Sequence, residues 1–226
     1  MVNKYSKKDV NTYNWLRAIP HYLTIYLALY PFYKLWFRIK ISGRENMAKG
    51  ETYLIGANHL SYFDPTIISL ASLKPVAYMS KQELFKVPIL KQFILMYGAF
   101  AVNREKLEIS TIKTAKNILK KGWHVGMFPE GTRGNGKDIT QVQKGLGYLA
   151  KSTKTKVLPL AIINSEKKHG PIIVKIGKPI DIIDKEPDQI SQEWLEAIVE
   201  LTGFEYKPKV KNKSIKEETD QALQEA

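Results

Sequence analysis

Residues 53–65 read Tyr53-Leu54-Ile55-Gly56-Ala57-Asn58-His59-Leu60-Ser61-Tyr62-Phe63-Asp64-Pro65, and their order points to the class of fold. The run from Tyr53 to Ala57 is short and apolar, as a buried strand is. Asp64-Pro65 opens a helix that runs to about residue 73, because Asp suits an N-cap and Pro the first helical position. A strand, a loop and a helix in succession form the repeating unit of an α/β sheet.

The unit recurs on the C-terminal side. Apolar runs at residues 76–79, 99–102, 125–128, 157–162 and 172–176 read as strands. Helical patterns occupy residues 82–97, with an interruption near Pro88, and residues 108–121, 141–152 and 191–202. In the 108–121 helix Ile109, Ile112, Ala115 and Leu119 share one face, Lys113, Lys116 and Lys120 take the other, and Gly122 ends it. The expected fold is α/β, with a mixed, largely parallel β-sheet flanked by helices.

Towards the N-terminus the pattern changes. Residues 37–41, Phe37-Arg38-Ile39-Lys40-Ile41, alternate apolar and polar as a half-buried strand does, and Gly43 closes the run. Before it, Ala18 to Tyr33 contains no Lys, Arg, Asp or Glu over 16 residues. That is short of the roughly 20 residues a spanning helix needs. Aromatic rings at Tyr13, Trp15, Tyr22, Tyr26, Tyr30, Tyr33 and Trp36 stand beside Lys34, Arg38 and Lys40, a composition suited to the headgroup layer of a bilayer. Pro31 is expected to divide this region into two helices. No small-residue cleavage site follows it, so it does not read as a signal peptide. Three segments result: an aromatic, membrane-associating two-helix segment at 1–37, an α/β domain at 38–206, and a charged tail without downstream aromatics at 207–226, expected to be mobile.

Lys and Arg number 35 against 22 Asp and Glu, a net charge of +13. An excess of this size suits an anionic partner such as a membrane surface, a phosphorylated substrate or nucleic acid. The basic residues are spread along the chain and form no nucleic-acid motif, so nucleic acid is not expected. There is no cysteine, which excludes disulfides, thiolate metal sites and a Cys nucleophile.

Two constellations carry chemistry. His59 leaves a strand just ahead of a helix, the place where sites gather in open α/β sheets. On one continuous helix His59 and Asp64 would stand about 140° apart, but a loop that folds back brings the carboxylate to one imidazole nitrogen. The other nitrogen is then free to take a proton, as in the His–Asp half of a catalytic triad. Ser61 lacks the G-x-S-x-G setting of a hydrolase nucleophile, and no further metal ligand stands nearby. The second constellation, Phe128-Pro129-Glu130-Gly131-Thr132-Arg133, also follows a strand. Gly131 permits a tight turn, Glu130 can accept hydrogen bonds, and Arg133 can grip a phosphate with two N–H groups. Gly98-Ala99-Phe100-Ala101-Val102-Asn103-Arg104 ends another strand in a basic residue. Val157-Leu158-Pro159-Leu160-Ala161-Ile162 is an apolar strand with an internal proline.

Together these four blocks resemble the glycerolipid acyltransferase family, and within it the bacterial 1-acyl-sn-glycerol-3-phosphate acyltransferases of the PlsC type. Asn58-His59 with Asp64 matches the family's N-H-x-x-x-x-D block, and Phe128 to Arg133 matches its F-P-E-G-T-R block about 65 residues further on. Gly98, Phe100 and Arg104 look like the second block and the Pro159 segment like the fourth. The resemblance implies acyl transfer from an acyl thioester, carried by acyl carrier protein or coenzyme A, to the sn-2 hydroxyl of lysophosphatidic acid. It casts His59 as the base and Asp64 as its orienting partner. Glu130, Gly131, Thr132 and Arg133, with Arg104 and Asn58, are cast as substrate-binding residues. No metal or cofactor is implied beyond the thioester co-substrate, and the expected place of work is the cytoplasmic face of the cell membrane. Three other readings remain open at this level: an acyltransferase for glycerol 3-phosphate or another lysophospholipid, a lipid or thioester hydrolase, and a non-enzymatic membrane-binding module.

Overall fold

The computed structural model describes residues 13–87, 91–92, 94–95, 98–102 and 108–208. Its centre is β2 (Leu54–Ala57), whose four residues are all buried. β2 pairs in parallel with β5 (His124–Met127) on one side and with β7 (Val157–Ile163) on the other. β3 (Val76–Lys81) lies parallel to β5, and β4 (Phe100–Val102) parallel to β3. Beyond β7, β8 (Ile173–Ile176) runs antiparallel to it, and β1 (Lys40–Ser42) runs parallel to β8 at the edge. The order β1-β8-β7-β2-β5-β3-β4 is thus a mixed, largely parallel sheet, as the sequence pattern predicts. A separate parallel pair joins β6 (Asp138–Ile139) to β9 (Glu205–Tyr206), neither of which the sequence pattern reveals.

Both faces of the sheet are covered, which explains why its inner strands read as continuous apolar runs rather than as alternation. On one face, Leu54, Val125, Val157 and Ala161 meet α4 (Ile109–Lys120), α5 (Gly145–Thr153) and α6 (Pro187–Thr202) through Ile118, Leu149, Trp194 and Ile198. On the other, Ile55, Tyr78, Leu158 and Ile162 meet α3 (Asp64–Ala71) through Ile67, Ile68 and Leu70. The close approach of α6 depends on Gly56. Trp194, fully buried, donates its Nε1–H to the Gly56 carbonyl at 2.9 Å. A Cβ on Gly56 would lie 2.5 Å from that nitrogen, so no larger residue fits without displacing the helix.

The N-terminal segment is one helical rod: α1 (Trp15–Leu23), a π-helical stretch Thr24–Leu29, and α2 (Tyr30–Trp36). The predicted division at Pro31 is not where the irregularity falls. Pro31 sits in the first turn of α2, where a missing N–H costs little, and the π stretch just ahead of it absorbs the change of register. The rod packs on α3: Ile25 and Tyr33 are buried there, and the Tyr33 hydroxyl meets Thr66 Oγ1 at 2.7 Å. Its other side shows Leu16, Ile19, Leu23 and Leu27, at the three- and four-residue spacing of one helical stripe, followed by Phe32, Leu35 and Trp36. Among the described residues no helix is long and apolar enough to cross a membrane.

Four further boundaries differ from the sequence reading, each for a local reason. The alternation at 37–41 reflects burial of Ile39 rather than a strand from Phe37. Arg38 adopts a left-handed φ of 45°, and the Ile39 N–H caps the rod at the Tyr33 carbonyl, so β1 begins only at Lys40. A 3-10 turn, Gln82–Lys86, replaces the start of the helix expected over 82–97; Lys91, Gln92, Ile94 and Leu95 are helical, and Pro88 lies outside the described residues. Residues 141–144 precede α5 instead of beginning it, because the Gln143 N–H bonds back to the Pro129 carbonyl. The last helix starts at Pro187, four residues earlier than its apolar pattern, where the Glu186 N–H donates to Gln189 Oε1 at 2.6 Å across the first turn.

Candidate active site

The exits of β2, β5 and β7 are neighbours at the C-terminal end of these parallel strands, and each delivers a residue to one point. From β2 come His59 and, at the start of α3, Asp64. The carboxylate does not cap its own helix, as the sequence reading allows; the helix is entered through Phe63 without a side-chain cap, and Asp64 turns back on the loop. Its Oδ2 accepts the Leu60 N–H at 2.6 Å, the Ser61 N–H at 2.8 Å and the His59 ring Nδ1 at 2.8 Å. Its Oδ1 accepts the Ser165 hydroxyl at 2.6 Å. Asp64 is completely buried, and such a desolvated carboxylate is held only by a full set of donors.

With the Asp64 carboxylate accepting on both oxygens, a neutral His59 ring carries its hydrogen on Nδ1 and presents Nε2 as the acceptor. The ring is stacked on Phe128, from the exit of β5, with centroids 3.9 Å apart and an interplanar angle of 18°. Its side chain keeps 17% of its surface open. The other histidines offer no comparable base. Burial pushes His21 down to about 4 and His124 down to about 3, and His124 Nδ1 is occupied by the Tyr53 N–H. His169 is exposed beside Trp36.

The loop after β5 clamps the main chain of His59. Glu130 Oε1 accepts the His59 N–H at 2.9 Å, and the Gly134 N–H donates to the His59 carbonyl at 2.7 Å. Gln141 Nε2 holds the Glu130 carbonyl at 2.6 Å. Gly131 makes the turn with a φ of 69°, where a Cβ would strike Gln143. Burial, against the help of the His59 N–H and together with the nearby Asp64 charge, pushes the Glu130 carboxyl up to about 7.

Asn58 and Glu130 are both turned inward on main-chain groups. Asn58 is buried, with its Nδ2 on the Ile162 carbonyl at 2.8 Å and its Oδ1 on the Ile162 N–H at 2.7 Å, so it pins the end of β2 to β7. Glu130 is turned inward as a clamp. Thr132 and Arg133 are exposed at the rim. The Arg133 guanidinium lies 3.6 Å above the Tyr62 ring centroid, and its Nη2 reaches the Tyr62 hydroxyl at 2.9 Å. Arg104 and Lys106 lie outside the described residues, as does the charged chain from residue 209. Ser61 Oγ accepts the Phe63 N–H at 3.3 Å, and no hydrogen bond joins it to the His59 ring. Among the described residues no three His, Asp or Glu side chains converge as a metal site requires.

The Acyltransferase family profile matches residues 38–163, a span that contains the His59, Asp64 and Arg133 positions and the strands that carry them. The chain belongs to the acyltransferase family. Among curated relatives, the 1-acyl-sn-glycerol-3-phosphate acyltransferase of Borreliella burgdorferi is 29% identical over 136 residues, covering 58% of this chain and 54% of that protein. The enzyme of that name from Bacillus subtilis is 30% identical over 152 residues, covering 65% of this chain and 75% of the relative. The chain thus spans only about half the length of the Borreliella burgdorferi relative. The crystal structure of the 1-acyl-sn-glycerophosphate acyltransferase PlsC from Thermotoga maritima superposes with a TM-score of 0.62 over 86% of this chain and 97% of that one, at 22% identity, and shares the fold.

In this member of the acyltransferase family, three side chains that touch the His59, Asp64 or Arg133 side chains have no role in the sequence reading: Ser165, Phe128 and Tyr62. Phe128 and Tyr62 lie inside the two blocks, but the ring stack and the cation over the tyrosine depend on how two distant loops meet. Ser165 stands 101 positions from Asp64, and its one signal is a place just beyond the end of a predicted strand.

Proposed function

We propose that the chain transfers a fatty acyl group from an acyl thioester, on acyl carrier protein or coenzyme A, to the sn-2 hydroxyl of lysophosphatidic acid, giving phosphatidic acid. The observation that carries this reading is the 2.8 Å contact of His59 Nδ1 with a fully donor-saturated Asp64, which leaves Nε2 as a free base at the open end of three strands. The curated relatives' shared name supplies the acceptor class, and the family supplies the reaction class.

In the reaction so read, His59 Nε2 takes the hydroxyl proton as the oxygen attacks the thioester carbonyl. A C–O bond forms, the tetrahedral adduct collapses with loss of the C–S bond, and the imidazolium returns its proton to the departing thiolate. Asp64 keeps the ring oriented and balances the transient charge. A placed base of this kind contributes roughly 10²–10⁴ in rate. Arg133, at the rim, is the phosphate-binding group, since a guanidinium presents two parallel donors to a phosphate. No metal or cofactor takes part. The exposed stripe of the N-terminal rod lies on the cytoplasmic membrane surface and brings the lipid acceptor to the site, with basic side chains near anionic lipid adding about 1 kcal/mol each.

The test is a product assay with membranes present, supplying labelled acyl carrier protein or coenzyme A thioesters with lysophosphatidic acid, glycerol 3-phosphate or another lysophospholipid. Labelled phosphatidic acid formed from lysophosphatidic acid is the expected result. Product from glycerol 3-phosphate alone would reassign the acceptor. Free fatty acid without ester product would make the chain a hydrolase.

A further inference from the structure

Among the described residues, the buried hydroxyl of Ser165 is the one donor on Asp64 that comes from outside the His59 loop. We propose that Ser165 is a positioning residue of the acyl-transfer site, fixing the Asp64 carboxylate and through it the His59 ring. The inference rests on the acyl-transfer reading for its catalytic consequence, and on geometry alone for its structural one.

The geometry is specific. Three donors crowd Oδ2 of Asp64, all from residues 59–61, while Oδ1 is met by Ser165 Oγ at 2.6 Å. A carboxylate held on one oxygen pivots about its Cβ–Cγ bond, and a ring bonded to that oxygen moves with it. A second anchor on Oδ1 removes the pivot. The anchor is itself well founded. Asn58 bonds both polar groups of Ile162 and so locks the end of β7 to the end of β2. Asn164 then takes a left-handed φ of 68°, a conformation Asn tolerates better than most side chains, and its Nδ2 holds the Pro171 carbonyl at 3.1 Å. That turn aims Ser165 inward, where only 8% of it is exposed.

Ser165 is no nucleophile in this arrangement. Its hydroxyl is on Oδ1 and the imidazole is on Oδ2, so the carboxylate stands between the serine and the base, whereas in a serine hydrolase the base stands between the serine and the carboxylate. A short O–H···O⁻ bond in a buried place is among the stronger hydrogen bonds, and its removal strands a lone pair where no water reaches.

The experiment compares Ser165→Ala and Ser165→Thr with the wild-type chain. The His59 Nδ1–H proton resonance is followed, assigned by its loss in His59→Ala, along with kcat and KM for lysophosphatidic acid per folded molecule. In Ser165→Ala the resonance is expected to shift or broaden, and kcat to fall about tenfold with KM little changed. Ser165→Thr, which keeps the hydroxyl, is expected to return kcat to within about threefold of wild type. An unmoved resonance in Ser165→Ala, or a kcat within twofold of wild type, overturns the proposal. If the wild-type chain transfers no acyl group, the acyltransferase reading has failed, and the resonance alone decides whether Ser165 positions His59.

Discussion

Glu130 is a buried carboxyl of the site whose charge burial disfavours. Its ordinary value of 4.5 is raised to about 7 in the folded chain, chiefly by burial. Between those two pH values the folded state holds a proton that the unfolded state has released. Stability therefore falls as pH rises through this window, by an amount bounded at about 3 kcal/mol. Glu130→Gln keeps an acceptor for the His59 N–H but cannot ionise. Thermal unfolding of the two chains at pH 5 and pH 7.5 checks this: the wild-type melting temperature is expected to drop relative to that of Glu130→Gln, and parallel changes would show that Glu130 is not held away from its ordinary value. The same residue shows what the sequence reveals at this scale. His59 and Asp64 are legible because five positions of loop contain the whole contact. The inward turn of Glu130, the saturation of Asn58 and the hydroxyl of Ser165 are not, because each depends on a partner 71 to 104 residues away.

At the scale of elements, the exits of β2, β5 and β7 define the site, and the N-terminal rod defines how it meets its surroundings. The strands are legible because sheet burial leaves uninterrupted apolar runs. The rod is legible as aromatic and apolar, but not as continuous, since nothing in its composition marks the π stretch that carries Pro31 into the first turn of α2. Its buried residues, Ile25 and Tyr33, join it to α3, the helix that begins with Asp64. Its exposed leucines are open to solvent: Leu27 is 72% and Leu35 83% exposed. A stripe of this kind on a basic protein matches an interfacial helix. Flotation of the full chain with anionic liposomes tests it. Replacing Leu23, Leu27 and Leu35 by Ser, which leaves the buried side intact, is expected to move most of the protein out of the lipid fraction. Flotation equal to wild type would remove the rod from the membrane interface.

For the whole molecule, the reading joins three features of different origin. The parallel strands β2, β5 and β7 bring their exits to one end of the sheet. A net charge of +13 suits an anionic partner. An apolar stripe stands on the helices packed against the element that opens with Asp64. The family is legible from two short blocks, because they sit at the ends of neighbouring parallel strands and the topology must bring them together. The clamp that makes them one site is not, because it is built from main-chain groups that no motif records. The central claim is that His59 is the base for acyl transfer, and the most direct test is labelled acyl transfer to lysophosphatidic acid at membranes by the wild-type chain and by His59→Ala, with matched far-ultraviolet circular dichroism and melting temperature. The account predicts phosphatidic acid from the wild-type chain and a loss of about 10²–10⁴ in rate for His59→Ala. Phosphatidic acid formed at equal rates by both would contradict it.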